Sequence, residues 1–190
     1  MLSFMSNARP RLSLGHATLA VRDLDRMVGF YSEVLGFRVT NRGEPLPGMG
    51  EMVFMSQDPN AHHQIVLVHT PDPAPRAFML ADHMAFRTGT LDDLRAIGER
   101  LAEAEVADVL PISHGNAWSL YFTDPEGNGL ECFVDSPFHV AQPYGDALDL
   151  SATDDQIEAT TRGLIESLPE FQSFDAWRAA MADRLDRASN

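Results

Sequence analysis

The sequence contains no lysine. All 14 positive charges are arginines, set against 28 acidic residues for a net charge of −14 with histidine neutral. Schiff-base chemistry, pyridoxal phosphate attachment and the phosphate-loop lysine all need a primary amine, so each is excluded. Basic surface is equally scarce, and nucleic acid, which draws most of its affinity from a cationic stripe, is not an expected partner. The single cysteine, Cys132, cannot form an internal disulfide, which suits a reducing cytoplasm. No stretch approaches the ~18–20 apolar residues of a membrane span. Residues 1–11 lack the basic-then-apolar organisation of a signal peptide, so neither a membrane partner nor export is expected. What the chain does hold is seven histidines: His16, His62, His63, His69, His83, His114 and His139. Its 190 residues and 44% apolar content suit one globular domain or two small fused modules.

Self-similarity organises the first two thirds of the chain. The segment from Leu14 through His16 to Leu24 has a counterpart 67 residues on, from Ala81 through His83 to Leu91. In each, a histidine opens a short apolar strand, and eight residues later a leucine enters an amphipathic helix. Leu24, Met27, Val28, Tyr31, Val34 and Leu35 line one face of the first helix, which Gly36 ends. Leu91, Leu94, Ile97 and Leu101 do the same for a helix over 91–104. Three β-like runs follow each helix: 37–41, 52–56 and 63–68, then 107–112, 118–123 and 129–134. The expected fold is therefore α+β. Two tandem βαβββ modules, 12–70 and 79–135, form one mixed, partly closed barrel-like sheet, since one module alone leaves a sheet face bare. A C-terminal extension, 136–190, carries two helices, 154–168 and 174–185. It serves as a solvated appendage, a lid or a dimer arm.

The repeat also aligns chemistry. Glu131 falls where Gln64 stands in the first module, so His16, Gln64, His83 and Glu131 are repeat-related positions at strand ends. Two imidazoles and one carboxylate suit a divalent first-row metal. Gln64 is a poor fourth ligand, so coordination positions stay open. Open positions beside a 2-His-1-carboxylate set are what Fe(II) needs to hold an organic chelator and O2 together, and Mn(II) is not separated from it by ligand type.

The run Ile112-Ser-His114-Gly-Asn-Ala-Trp-Ser-Leu120-Tyr121-Phe-Thr-Asp124-Pro125-Glu-Gly127-Asn-Gly-Leu-Glu131, together with Asn60-Ala-His62-His63-Gln64, resembles the type I extradiol ring-cleavage dioxygenases of the vicinal-oxygen-chelate superfamily. The Asp-Pro-x-Gly turn and terminal glutamate belong to the superfamily at large; His114 and Tyr121 point to ring cleavage. The resemblance implies His16, His83 and Glu131 as the metal ligands. It implies His63 as the acid–base residue, with His114 and Tyr121 beside it as the other catalytic side chains. It also implies a small aromatic diol and O2 as the substrates. Histidine titrates near working pH and can take and return the diol proton, while a tyrosine can hydrogen-bond a catechol oxygen.

Two other readings stand beside this one. A glyoxalase-like lyase or an epimerase would want a fourth protein ligand where Gln64 stands. A metal-free binder of the bleomycin-resistance kind would use an acidic cleft for a cationic drug. Unpaired sheet edges predict a homodimer or higher homo-oligomer. Cys132 is expected in the core, His62 at a strand edge, His69 on the surface and His139 in the tail, away from the chemistry. The loop 44–50 is expected to shape the entrance.

Overall fold

In a computed structural model of the chain, residues 13–44, 50–73 and 83–187 are described. Most of the entrance loop expected at 44–50 lies outside them. The chain divides into two compact units. One comprises residues 15–112 and 119–134; the other comprises 113–118 with the tail from 135.

The first unit holds both repeats apart from residues 113–118 and 135, which fall in the other unit. The first repeat runs β1 (Ala17–Val21), α1 (Leu24–Glu33), β2 (Arg38–Gly43), β3 (Met52–Ser56) and β4 (Ile65–His69). The second runs β5 (His83–Arg87), α2 (Leu91–Glu103), β6 (Leu110–Ser113), β7 (Ala117–Thr123) and β8 (Gly129–Asp135). Strand order is β1-β4-β3-β2 in one sheet and β6-β7-β8-β5 in the other, the same winding twice. In each, the opening strand lies parallel to the last, Ala17 beside Ile65 and His83 beside Gly129.

Both helices begin where the spacing predicts. Asp23 caps α1 by accepting from the Arg26 amide at 3.0 Å, and Thr90 caps α2 by accepting from the Asp93 amide at 3.1 Å. α1 buries Leu24, Met27, Phe30 and Tyr31; at about 1.5–3 kcal/mol per large apolar side chain, this face anchors the helix. Gly36, at φ +83°, makes the left-handed turn after it.

The expected single barrel-like sheet is not what forms. There are two separate sheets and the barrel is not closed: β1 and β5 each end their own sheet, and no described ladder joins them. The modules meet instead through α1 and the β7–β8 turn. The rings of Phe30 and Phe122 lie 6.5 Å apart, and Phe37 packs edge-on to Phe86 at 5.5 Å. Both carboxylate oxygens of Glu126 accept from the Arg22 amide, at 2.7 and 2.8 Å, and Oε1 also accepts from the Asp23 amide at 2.6 Å.

Asp124 holds that turn together. Its Oδ1 accepts from the amides of Glu126 and Asn128, both at 2.9 Å, and its Oδ2 from the Asn128 side chain at 2.5 Å and the Tyr31 hydroxyl at 3.3 Å. Burial pushes this carboxyl upward and the four donors pull it back. Asp124→Ala strands those donors in a buried turn, so a loss of about 2–4 kcal/mol is expected. Urea unfolding followed by circular dichroism checks it; a loss below ~1 kcal/mol would mean that water replaces the carboxylate.

The second unit carries β9 (Phe138–His139), β10 (Asp146–Ala147), α3 (Asp154–Ile165), β11 (Gln172–Ser173) and α4 (Phe174–Arg187). Both tail helices fall where expected, whereas the three two-residue strands leave no periodic trace in sequence. β9 pairs antiparallel with β11, and Phe138, Val140 and Ile165 form a small core with Tyr144, Leu168 and Phe171. Trp118 donates its indole N–H to Thr161 Oγ1 at 2.8 Å. Trp177 stacks on His139 at 5.1 Å and on Phe174 at 5.5 Å.

Candidate metal centre

Parallel pairing of β5 with β8 sets His83 beside Gly129 and Ala85 beside Glu131. From that register the His83 Nε2 comes within 3.3 Å of Glu131 Oε2. Tyr121, on neighbouring β7, donates its hydroxyl to Glu131 and sets its ring edge-on to His83 at 5.2 Å. Burial and the Glu131 charge push the Tyr121 hydroxyl well above its ordinary range, so this phenol serves as a donor and not as a base. Cys132, the next residue on β8, points to the opposite face and is buried, as the alternation predicts. Burial pushes its thiol up to about 12, which keeps it inert.

A second cluster sits at the other sheet. His16, just before β1, lies 4.5 Å ring to ring from His63. His63 occupies the loop before β4 rather than the strand, with Phe54 edge-on at 5.1 Å. Burial and the two neighbouring imidazoles hold His63 below the ordinary histidine range, so its neutral form is favoured. His62 is exposed, yet its Nδ1 is 2.9 Å from His63 Nδ1 and its Nε2 is 2.7 Å from Asn41 Oδ1. The Gln64 side chain turns into its own loop, accepting from the Gln57 amide at 2.8 Å and from Ser56 Oγ at 3.3 Å.

Of the three metal ligands expected from sequence, the structure brings two together. Donors about 2.1 Å from one ion and roughly at right angles to each other lie about 3 Å apart, so His83 and Glu131 fit a divalent cation as a pair. His16 stays with His63, and among the described residues no three His, Cys, Asp or Glu side chains are placed to hold one metal ion.

His114 belongs to the tail unit. Its Nδ1 is 2.7 Å from the Tyr144 carbonyl; a carbonyl only accepts, so Nδ1 carries the proton. His69 ends β4 and is exposed, as expected. His139 differs from the expectation of an unremarkable tail residue. It is buried, stacked on Trp177, with Nε2 3.5 Å from Glu170 Oε2. Asn41, which no motif marks, is the other residue that sequence reasoning passes over.

Comparison with known proteins agrees with the fold. The model of the glyoxalase/bleomycin resistance protein/dioxygenase superfamily matches residues 13–132. The chain is 32% identical over 132 residues to biphenyl-2,3-diol 1,2-dioxygenase 3 of Rhodococcus globerulus, covering 67% of this chain and 64% of that protein. It is 30% identical over 139 residues to catechol-2,3-dioxygenase of Bacillus subtilis, covering 70% and 45%. It thus spans less than two thirds of either dioxygenase. Glutathione transferase FosA of Serratia marcescens is 32% identical over 127 residues, covering 65% of this chain and 82% of that one. Among solved structures, a glyoxylase/bleomycin resistance protein/dioxygenase domain from Frankia sp. EAN1pec superposes with a TM-score of 0.56 at 26% identity, covering 67% of this chain and 94% of that one. Matched by the family model over most of its length and wound twice in the same βαβββ order, this chain belongs to the glyoxalase/bleomycin resistance protein/dioxygenase superfamily.

Proposed function

We propose that this chain is an extradiol dioxygenase, which opens a catechol-type ring beside its hydroxyls and places both atoms of O2 in the product. The observation that carries the reading is the His83–Glu131 pair with Tyr121 donating to the same carboxylate. That trio gives a cation-binding edge a built-in hydrogen-bond donor for a diol oxygen. Two dioxygenase relatives support it.

In this reading His16, His83 and Glu131 would hold Fe(II), with Mn(II) the other candidate ion. The bound metal would supply electron transfer between diol and dioxygen. The protein's own groups handle the protons. A neutral His63 accepts the proton of a substrate hydroxyl and later returns it to the opening ring. Tyr121, kept protonated, would turn its single O–H from Glu131, by then committed to the ion, to a diol oxygen and so fix which hydroxyl is ionised. His114, by its place in the motif, would stabilise negative charge on substrate or dioxygen.

The lyase or epimerase alternative asks for a fourth ligand at Gln64, whose amide oxygen is already committed to its own loop. The similarity to FosA calls for one control. Fe(II)-loaded protein in air is expected to turn 2,3-dihydroxybiphenyl or a related catechol into a yellow ring-opened product, and to leave fosfomycin with glutathione unchanged. No colour across a broad catechol panel, with the metal content verified, would sink the ring-cleavage reading.

A further inference from the structure

One residue outside every motif is built into the His62–His63 cluster. β2 and β3 pair antiparallel with Val39 opposite Met55, and regular pairing would next set Thr40 opposite Phe54 and Asn41 opposite Val53. A β-bulge intervenes, and Asn41 stands opposite Phe54 instead. Residues directly opposite share a face of the sheet. Val53 is fully buried, whereas Phe54 lies edge-on to both His62, at 5.9 Å, and His63, at 5.1 Å. The single extra residue thus moves Asn41 from the face of Val53 to the face of the histidines. Thr40, the inserted residue, is held by its hydroxyl donating to the Phe54 carbonyl at 3.2 Å. Bulges re-aim side chains in this way beside functional sites.

The chain of contacts then orders the protons. Asn41 Oδ1 is only an acceptor, so the His62 Nε2 that faces it at 2.7 Å carries a proton. A neutral His62 with its proton on Nε2 has a bare Nδ1, and that atom lies 2.9 Å from His63 Nδ1. His63 must therefore donate from Nδ1, which leaves the lone pair on its Nε2. We infer that Asn41 and His62 are positioning residues that set the tautomer of His63, Asn41 acting through His62, so that His63 Nε2 is the proton-accepting atom. The assignment of His63 as the base of ring cleavage rests on the function proposed above; the placement of the protons does not. The arrangement is also the less ordinary one, because an imidazole side chain free in water prefers its proton on Nε2. A hydrogen bond at one ring nitrogen is what decides the matter at the other.

The test reads tautomers directly. Long-range ¹H–¹⁵N correlation spectra of the full-length protein without added metal, at a pH where the imidazoles are neutral, distinguish Nδ1–H from Nε2–H for each ring. The expected result is Nε2–H for His62 and Nδ1–H for His63. Asn41→Leu is expected to shift the His63 signals toward Nε2–H, and Asn41→Asp, which keeps an acceptor oxygen, to restore them. Turnover of a catechol by the Fe(II)-loaded Asn41→Leu protein should drop about tenfold in kcat with KM little changed, the scale of one lost hydrogen bond. His63 found as Nε2–H in the unaltered protein, or a His63 tautomer indifferent to Asn41→Leu, overturns the inference. The expected tautomers in a protein that cleaves no catechol support the relay and overturn ring cleavage, so the two failures are distinct.

Discussion

His63→Ala is expected to keep its metal and lose ~10²–10⁴-fold in catechol turnover, the usual cost of removing a general acid–base group. The expectation follows from where His63 sits. It lies in the loop before β4, against His16 and Phe54, while the His83–Glu131 pair stands on the other sheet. Its depressed basicity keeps the ring neutral and able to take a proton. Metal analysis beside single-turnover kinetics separates the outcomes. Retained metal with slow ring opening agrees with an acid–base role. Lost metal would make His63 a ligand and His16 its neighbour, reversing their assignment.

Glu131→Ala should do the opposite and lose the metal itself, with more than ~10²-fold weaker binding, since even removing a group that only orients a ligand costs that much. Glu131 is the one anion of the proposed ligand set, it is buried, and it meets both His83 and the Tyr121 hydroxyl. Removing it takes that charge away from beside His83 and the Tyr121 hydroxyl. Glu131→Gln keeps the shape and an acceptor oxygen but not the charge, and should fall between alanine and the unaltered protein. Metal titration followed calorimetrically orders the three. Equal affinity in all three would place the ion elsewhere.

Local pattern made the helices and most strands legible. Leu24 and Leu91 open helices because each follows a side chain able to cap, and Met52–Ser56 forms its strand with the expected bounds. Periodicity identifies a face and says nothing of an edge, which is why one continuous sheet was expected where β1 and β5 each end their own. The same limit hid His139. Its burial depends on β9 pairing with β11, more than thirty residues away, through strands too short to alternate. His63 was expected inside a strand because the apolar run 65–68 begins two residues after it. The Gln64 side chain accepts from Gln57 and Ser56 and so holds a loop open until Ile65. For the site, the repeat singled out His83 and Glu131, which do converge. Asn41 was invisible, because its position depends on one residue of bulge that no spacing rule reveals.

Trp118 and Trp177, the chain's only tryptophans, both belong to the unit that contains the tail, one bonded to Thr161 and the other stacked on His139. The unit with the His83–Glu131 pair contains none. Trp177, stacked on His139, is a reporter of the tail unit, whereas Trp118 stands on β7, three residues before Tyr121, and reports that strand. Replacing one indole at a time therefore separates the two signals in a denaturation curve or on adding metal or catechol.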